Sequence, residues 1–437
     1  MITHIRMKNF KSWQDSGEVK LAPLTGFFGT NSSGKSSLLQ MLSLLKQTAE
    51  HPDLNEVIFF GHDGSLVNLG SFREVIHGHK AEEKLELEFG CTIQNSFTIK
   101  VSGKAINIDS FIFETAIREV NRSPVVENFF YTVGTEANHK IIWQDGEIRY
   151  RNPQNLGDNY LGNLRIKNFY GSSDSGTIRA LEVVQGFSFA FEKLFLHTYY
   201  LGPTRVDPRR RYNWSGDHPR HIRQWGNQTI DALLSARVRK LKTRHEEGEI
   251  PIEERVSYWL QEMELAHSFS LDWTSQGSKE YEVRIQKTSA SPPVTLVDMG
   301  YGLSQFLPVL VLCYYTPVGS TLILEQPGIH LHPKVQSQLA DLLIEVVTER
   351  KLQVLIESHS EHLLNRLQRR IAEEKISVDK TALYFCRNDE GVSEIDELDM
   401  DEFGNITNWP ENFFGDEMGD LFAMTKAQRE RQKRAES

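Results

Sequence analysis

Residues 29 to 36 read Gly-Thr-Asn-Ser-Ser-Gly-Lys-Ser, a glycine, four residues, then Gly-Lys-Ser. Gly29 and Gly34 at that spacing let backbone N–H groups close around phosphate oxygens. Thr30, Asn31, Ser32 and Ser33 complete the loop, Lys35 reaches β- and γ-phosphates, and Ser36, followed by Ser37, offers its hydroxyl to Mg²⁺. The chemistry is the binding of a nucleoside triphosphate together with its metal. Mg²⁺ needs a further oxygen ligand from a neighbouring strand. The run Thr321-Leu-Ile-Leu-Glu325 supplies an apolar strand ending in a carboxylate.

Such a loop works only between a strand and a helix. Leu24 to Phe28 is the apolar run before it, and Ser37-Leu-Leu-Gln-Met-Leu-Ser-Leu-Leu after it has amphipathic helical spacing. Upstream, Ile2, Ile5 and Met7 begin a strand, and Lys8-Asn-Phe-Lys-Ser reads as a turn. Thr321 to Leu324 and Gln353 to Ile356 read as buried strands, with helices over Val335 to Glu349 and Glu361 to Glu373, a βαβ organisation. Between these halves lie strand-like segments at Leu85 to Phe89 and Thr98 to Val101, and a hairpin around Gln144-Asp-Gly. Residues 81 to 200 are therefore read as an antiparallel sheet layer. Gln228 to Thr243 and Ile252 to Leu265 read as a helical hairpin interrupted at Glu246-Glu-Gly and Pro251. Thr381 to Phe385 and Gly391 to Ile395 resemble a terminal hairpin, and Gln428 to Ala435 a charged helix end. No heptad pattern persists for three turns, and no internal repeat or low-complexity tract occurs.

The chain of 437 residues has an ordinary soluble composition, 39% hydrophobic and 25% charged. No stretch of 18 apolar residues occurs and the N-terminal residues lack a signal-peptide core, so a cytoplasmic protein without membrane contact is expected. Cys91, Cys313 and Cys386 have no paired spacing, which implies reduced, buried thiols rather than a disulfide framework or a zinc site. The net charge of −10 is uneven: Arg205 to Arg244 holds eleven Lys/Arg against three Asp. Arg209, Arg210, Arg211, Arg237, Arg239, Lys240 and Lys242 form either a solvated basic face or a surface for nucleic acid or a partner protein.

With these residues in place, the chain resembles the ABC-type ATPases of the SMC and OLD-like branch, including compact AAA-type members of phage-defence systems. The resemblance is carried by Ile5-Arg-Met-Lys-Asn-Phe-Lys-Ser, the phosphate loop, Gly300-Tyr-Gly-Leu-Ser-Gln-Phe-Leu-Pro as signature segment, Thr321 to Pro333 as Walker B region, and Glu357-Ser-His-Ser as histidine switch. It implies an α/β fold: an ABC-type P-loop ATPase core split between residues 1–75 and 296–437, with a β-rich layer over 76–200 and a basic helical insertion over 201–295. It further implies ATP and Mg²⁺ as cofactors, Glu325 as the metal carboxylate, and His359 as γ-phosphate sensor. Gly302, Ser304 and Gln305 would face ATP held by a second subunit, making a head-to-tail homodimer, which could assemble further. Lys11 lies either near the adenine or α-phosphate or on the surface.

Where the branch usually carries a catalytic Glu, this chain has Gln326, and Gly328 replaces a Glu common after the proline. A Gln amide orients water but does not accept its proton. Slow turnover is expected, or a base taken from His330, His332 or a partner; otherwise the two histidines have structural roles. Asp399-Met-Asp401 is read as part of a solvated acidic hairpin rather than a nuclease centre. The resemblance implies an ATP-dependent switch in antiviral defence with a separately encoded effector. The alternatives are a DNA-repair or chromosome-associated ATPase and a scaffold that binds ATP without hydrolysing it.

Overall fold

The computed structural model describes residues 1–53, 55–80, 82–101, 103–134, 139–152, 158–245, 248–275, 277–410 and 424–428. Its centre is a six-stranded sheet in the order Thr198–Leu201, Thr321–Glu325, Gln353–Glu357, Leu24–Gly29, Thr381–Asp389 and Val392–Glu397. The first five strands are parallel and the last is antiparallel. Both faces are covered, so the strands read as unbroken apolar runs while alternate residues serve different cores. Ile323, Leu355 and Phe27 pack into one core; Leu322, Leu324, Val354, Ile356 and Phe28 pack into the other.

The first core lies under the helix Lys35–Ala49 and a ten-stranded antiparallel sheet built mainly from residues 85–165, with the strand Ile2–Phe10 near its far edge. Gln353 joins this sheet to the central one: its carboxamide exchanges two hydrogen bonds with the Ile2 backbone, at 2.9 and 2.6 Å. The second core is formed with the helices Thr229–Val238, Ile252–Glu262, Tyr301–Tyr315, Pro333–Glu349 and Glu361–Ala372. The central sheet is thus split in sequence as expected: its strand before Thr30 comes from the N-terminal segment and most of its other strands from the C-terminal one.

Four local readings change. The layer over 81–200 ends in a 19-residue helix, Ile178–Leu196. Its buried positions Ala180, Val183, Val184, Phe187, Phe191 and Phe195 keep helical spacing although Val and Phe favour strands. Residues 201–295 are not purely helical: they hold the hairpin Lys242–His245/Gly248–Pro251 and the strands Tyr212–Asn213, Ser268–Trp273, Glu280–Gln286 and Val294–Thr295. The helix from Thr229 stops at Val238 because Lys240 turns left-handed (φ 53°) and the Leu241 N–H bonds back to Ala236 O at 2.9 Å. This closing motif usually announces itself with Gly or Asn, and here a lysine hides it. The first strand also runs through to Phe10, so the turn begins later than Lys8. The expected helix end at Gln428 to Ala435 lies outside the described residues beyond Gln428.

The hairpin at Gln144 and the strands and helices around Glu325 and Glu357 stand where the sequence placed them. All three cysteines are buried. Among the described residues, no helix is long and apolar enough to cross a membrane.

Candidate nucleotide-binding site

The parallel strands deliver Gly29, Glu325 and Glu357 to one edge of the sheet, the carboxyl edge where ligands of such sheets bind. The two loop glycines are required by space as well as by conformation. A Cβ on Gly29 (φ +132°) would lie 2.0 Å from the Cys386 carbonyl oxygen, and one on Gly34 (φ +90°) would lie 2.4 Å from Ser393 Oγ. Buried Trp13 donates from Nε1 to Gly34 O at 3.1 Å, and Ser12 and Ser393 join by their hydroxyls at 2.6 Å. The turn after the first strand and the terminal hairpin therefore brace the loop. No side chain caps the helix Lys35–Ala49, so its first amides are left for an anion.

Lys35 is folded onto its own loop. Its Nζ donates to Thr30 O at 2.5 Å, and to Gly29 O and Ser33 Oγ at 3.2 Å each. Burial lowers the Lys35 pKa, opposed chiefly by the charge of Glu357.

The sequence offered one acidic partner for Ser36, and the structure has two. Glu325 and Glu357 are register partners on adjacent strands, and both are buried. The Ser36 hydroxyl donates to Glu357 Oε2 at 2.7 Å, whereas Glu325 Oε1 accepts from Tyr200 OH at 2.9 Å. Burial raises the Glu325 carboxyl to about 7, and the neighbouring Glu357 charge adds to it, against Tyr200, Lys11 and Arg205. The folded value exceeds the ordinary 4.5, so this group contributes stability fully below pH 4.5 and loses it as pH rises through 7. Without nucleotide or metal, Glu325→Gln should therefore raise the melting temperature at pH 8, by up to about 3 kcal/mol of stability, with little gain at pH 4.5. An equal gain at both pH values in a thermal-unfolding series would contradict this assignment.

Arg205 was counted with the basic surface, but it is buried against the site. Its Nη2 donates to Glu325 O at 3.0 Å and both Nη atoms reach Gln326 O at 3.4 Å. Burial lowers its pKa to about 10, partly offset by Glu325. It fastens the turn where Gln326 takes a left-handed backbone (φ 49°) and donates its N–H to Glu357 O at 3.0 Å. The Gln326 side chain stays half-buried and makes no hydrogen bond to any described residue. Tyr200, Arg205, Trp13 and Glu357 were not assigned roles from sequence. The signal for the first two is their nearness to the end of the strand Thr198–Leu201, which lies beside the Glu325 strand.

The remaining candidates fall into three groups. His359 stands on the loop after Glu357 with one side open to solvent; partial desolvation and then the Lys35 charge lower its pKa, so it lies beside the phosphate loop. Lys11 Nζ donates to Gln40 Oε1 at 2.5 Å, and burial lowers its pKa, offset in part by the charge of Glu325, so it lies on the carboxylate side of the loop. The signature segment Gly300 to Pro308 forms the cap and the first two turns of Tyr301–Tyr315, with Gly300 at the cap. Ser304 and Gln305 are buried, and Ser304 Oγ donates to Tyr301 O at 2.7 Å. A Cβ on Gly302 would lie 2.5 Å from His330 O, so this turn is pressed onto the chain beyond Gln326, and the Tyr301 and His330 rings meet edge to face.

His332 has a structural role: its Nδ1 accepts from Lys334 N and caps Pro333–Glu349. Asp401 accepts from Phe403 N, Asn405 N and Asn405 Nδ2 within its own loop. Of the basic residues, Arg210 pairs with Asp298, Arg211 with Glu280 and Glu282, and Arg237 with Glu253. Arg209, Arg239, Lys240 and Lys242 are exposed and their side chains carry no ion pair among the described residues.

The arrangement of braced phosphate loop, Ser36 hydroxyl and paired carboxylates suits a triphosphate with a hard, oxygen-seeking cation. Sequence families agree on both halves of the split core. The family "AAA ATPase domain" matches residues 1–125, and "AAA domain, putative AbiEii toxin, Type IV TA system" matches residues 186–365. The chain thus matches AAA-type families over both halves of that core. A third family, a protein of unknown function (DUF3696), matches residues 376–424. No curated protein matches it in sequence.

Among solved structures, the chain is similar to an Smc head bound to the C-terminal winged-helix domain of ScpA, at 11% identity and TM-score 0.46, over 91% of this chain and 98% of that one. It is also similar to the SMC head domain from Thermotoga maritima, at 11% identity and TM-score 0.40, over 91% and 99% of the two chains. A third is an Smc head with an extended coiled coil bound to the C-terminal domain of ScpA derived from Pyrococcus furiosus, at 10% identity and TM-score 0.44, over 91% and 96%.

Proposed function

We propose that the chain is a Mg²⁺-dependent ATPase of slow turnover, used as a nucleotide-dependent dimerising switch. The observation that carries this reading is the pairing of a complete set of phosphate and metal groups with Gln326, an unengaged amide where a base would stand. ATP is held by the loop amides, Lys35 and Ser36; Mg²⁺ supplies charge neutralisation at the phosphates, with Ser36 and Glu325 as its protein oxygens. Gln326 orients water without taking its proton, so ATP persists. The signature turn, pressed on its own chain beyond Gln326, offers Gly300, exposed Tyr301 and the helix dipole to ATP on a second copy.

Antiviral defence with a separately encoded effector is the biological setting we infer, from the resemblance to compact phage-defence ATPases and from the toxin–antitoxin wording attached to the family matching residues 186–365. The biochemical reading is tested by mixing protein with labelled ATP and Mg²⁺, removing free nucleotide, and identifying what stays bound. Retained ATP supports a slow switch. Immediate conversion to ADP and phosphate would overturn it. The basic segment lends less support to a duplex-binding reading, because Arg210, Arg211 and Arg237 already face carboxylates.

A further inference from the structure

Glu357 ends the strand that lies between the Glu325 strand and the phosphate-loop strand, in register with Glu325 on one side and Phe27 on the other. It is 6% exposed, and it accepts the Ser36 hydroxyl at 2.7 Å. Among the described residues, no Lys or Arg makes an ion pair with either Glu357 or Glu325. Lys35 is turned onto loop oxygens, Lys11 onto Gln40, and Arg205 onto the Glu325 and Gln326 carbonyls. Two adjacent buried carboxylates without a paired cation are a costly arrangement. A divalent cation offsets that cost, and carboxylate and hydroxyl oxygens are the donors that Mg²⁺ takes.

We propose that Glu357 is a second carboxylate of the metal site, acting with Glu325 and holding the Ser36 hydroxyl towards the cation. This rests on the reading of the site as one for Mg²⁺ and ATP. It adds a consequence. The two carboxylates repel a bare triphosphate, so nucleotide affinity depends on metal more steeply than with one carboxylate.

The test is a titration of a fluorescent ATP analogue on the full chain, in EDTA and then with increasing Mg²⁺, for wild type, Glu357→Gln and Glu357→Asp. Thermal unfolding of each protein is followed in parallel. Glu357→Gln should bind the analogue in EDTA at least as well as wild type. It should need about 10- to 100-fold more Mg²⁺ for the half-maximal gain in affinity. Glu357→Asp, which keeps the charge on a shorter arm, should fall between. Analogue binding in EDTA with a Mg²⁺ midpoint within about twofold of wild type would overturn the role of Glu357 and leave the ATP reading intact. Should the Gln variant unfold, an unchanged midpoint in Glu357→Asp overturns it equally. A wild-type protein that binds no analogue under either condition would instead remove the nucleotide reading on which both stand.

Discussion

Lys35→Ala is expected to weaken ATP binding roughly 10²- to 10⁴-fold, the loss of two charge-assisted contacts to phosphate at about 1.5–3 kcal/mol each. In the structure the ammonium is held by Gly29 O, Thr30 O and Ser33 Oγ, so binding would exchange backbone and hydroxyl oxygens for phosphate oxygens. The exchange is favourable because the Lys35 charge is buried among neutral acceptors until an anion arrives. Calorimetric or fluorescence titration with ATP and Mg²⁺ measures the effect. Affinity within threefold of wild type, in a folded variant, would contradict the assignment of the loop.

Gln326→Glu should raise the turnover number by about 10²- to 10⁴-fold, the usual contribution of a positioned base. The substitution preserves shape, and the backbone that carries it is fixed by Arg205 on one side and the Glu357 carbonyl on the other. It also sets a third carboxylate next to Glu325 and Glu357, so the variant should be less stable than wild type without Mg²⁺ at neutral pH. Steady-state phosphate release measures the first effect. Turnover unchanged by the new carboxylate would mean that another group already removes the proton, and the slow-switch account would fall.

How far the site was legible depended on the range of the interactions that make it. The phosphate loop is written in consecutive residues, and Glu325 closes an apolar run, so spacing alone finds both. Glu357 was visible only as part of the His359 segment. Its role comes from the register that sets it beside Glu325, a pairing across 32 residues of sequence. Arg205 misled because a run of basic residues reads as surface, whereas it is 3% exposed and fastened to the carbonyls of Glu325 and Gln326. Trp13 supports Gly34 from the short strand Trp13–Asp15, 21 residues upstream, which no local pattern records. The fold shows the same division. Strands and helices with clean periodicity around the core stood in place, while the Lys240 turn and the Val/Phe-rich helix Ile178–Leu196 carried local preferences that packing overrode.

The central claim is that ATP with Mg²⁺ draws two copies together and that its loss releases them. Light scattering on the purified full chain reads this directly, with no nucleotide, with ATP and Mg²⁺, and with ADP and Mg²⁺, beside Lys35→Ala. The account predicts a dimer with ATP and Mg²⁺ alone, and a monomer in the other two conditions and in Lys35→Ala throughout. A mass that is the same in all three conditions would contradict it.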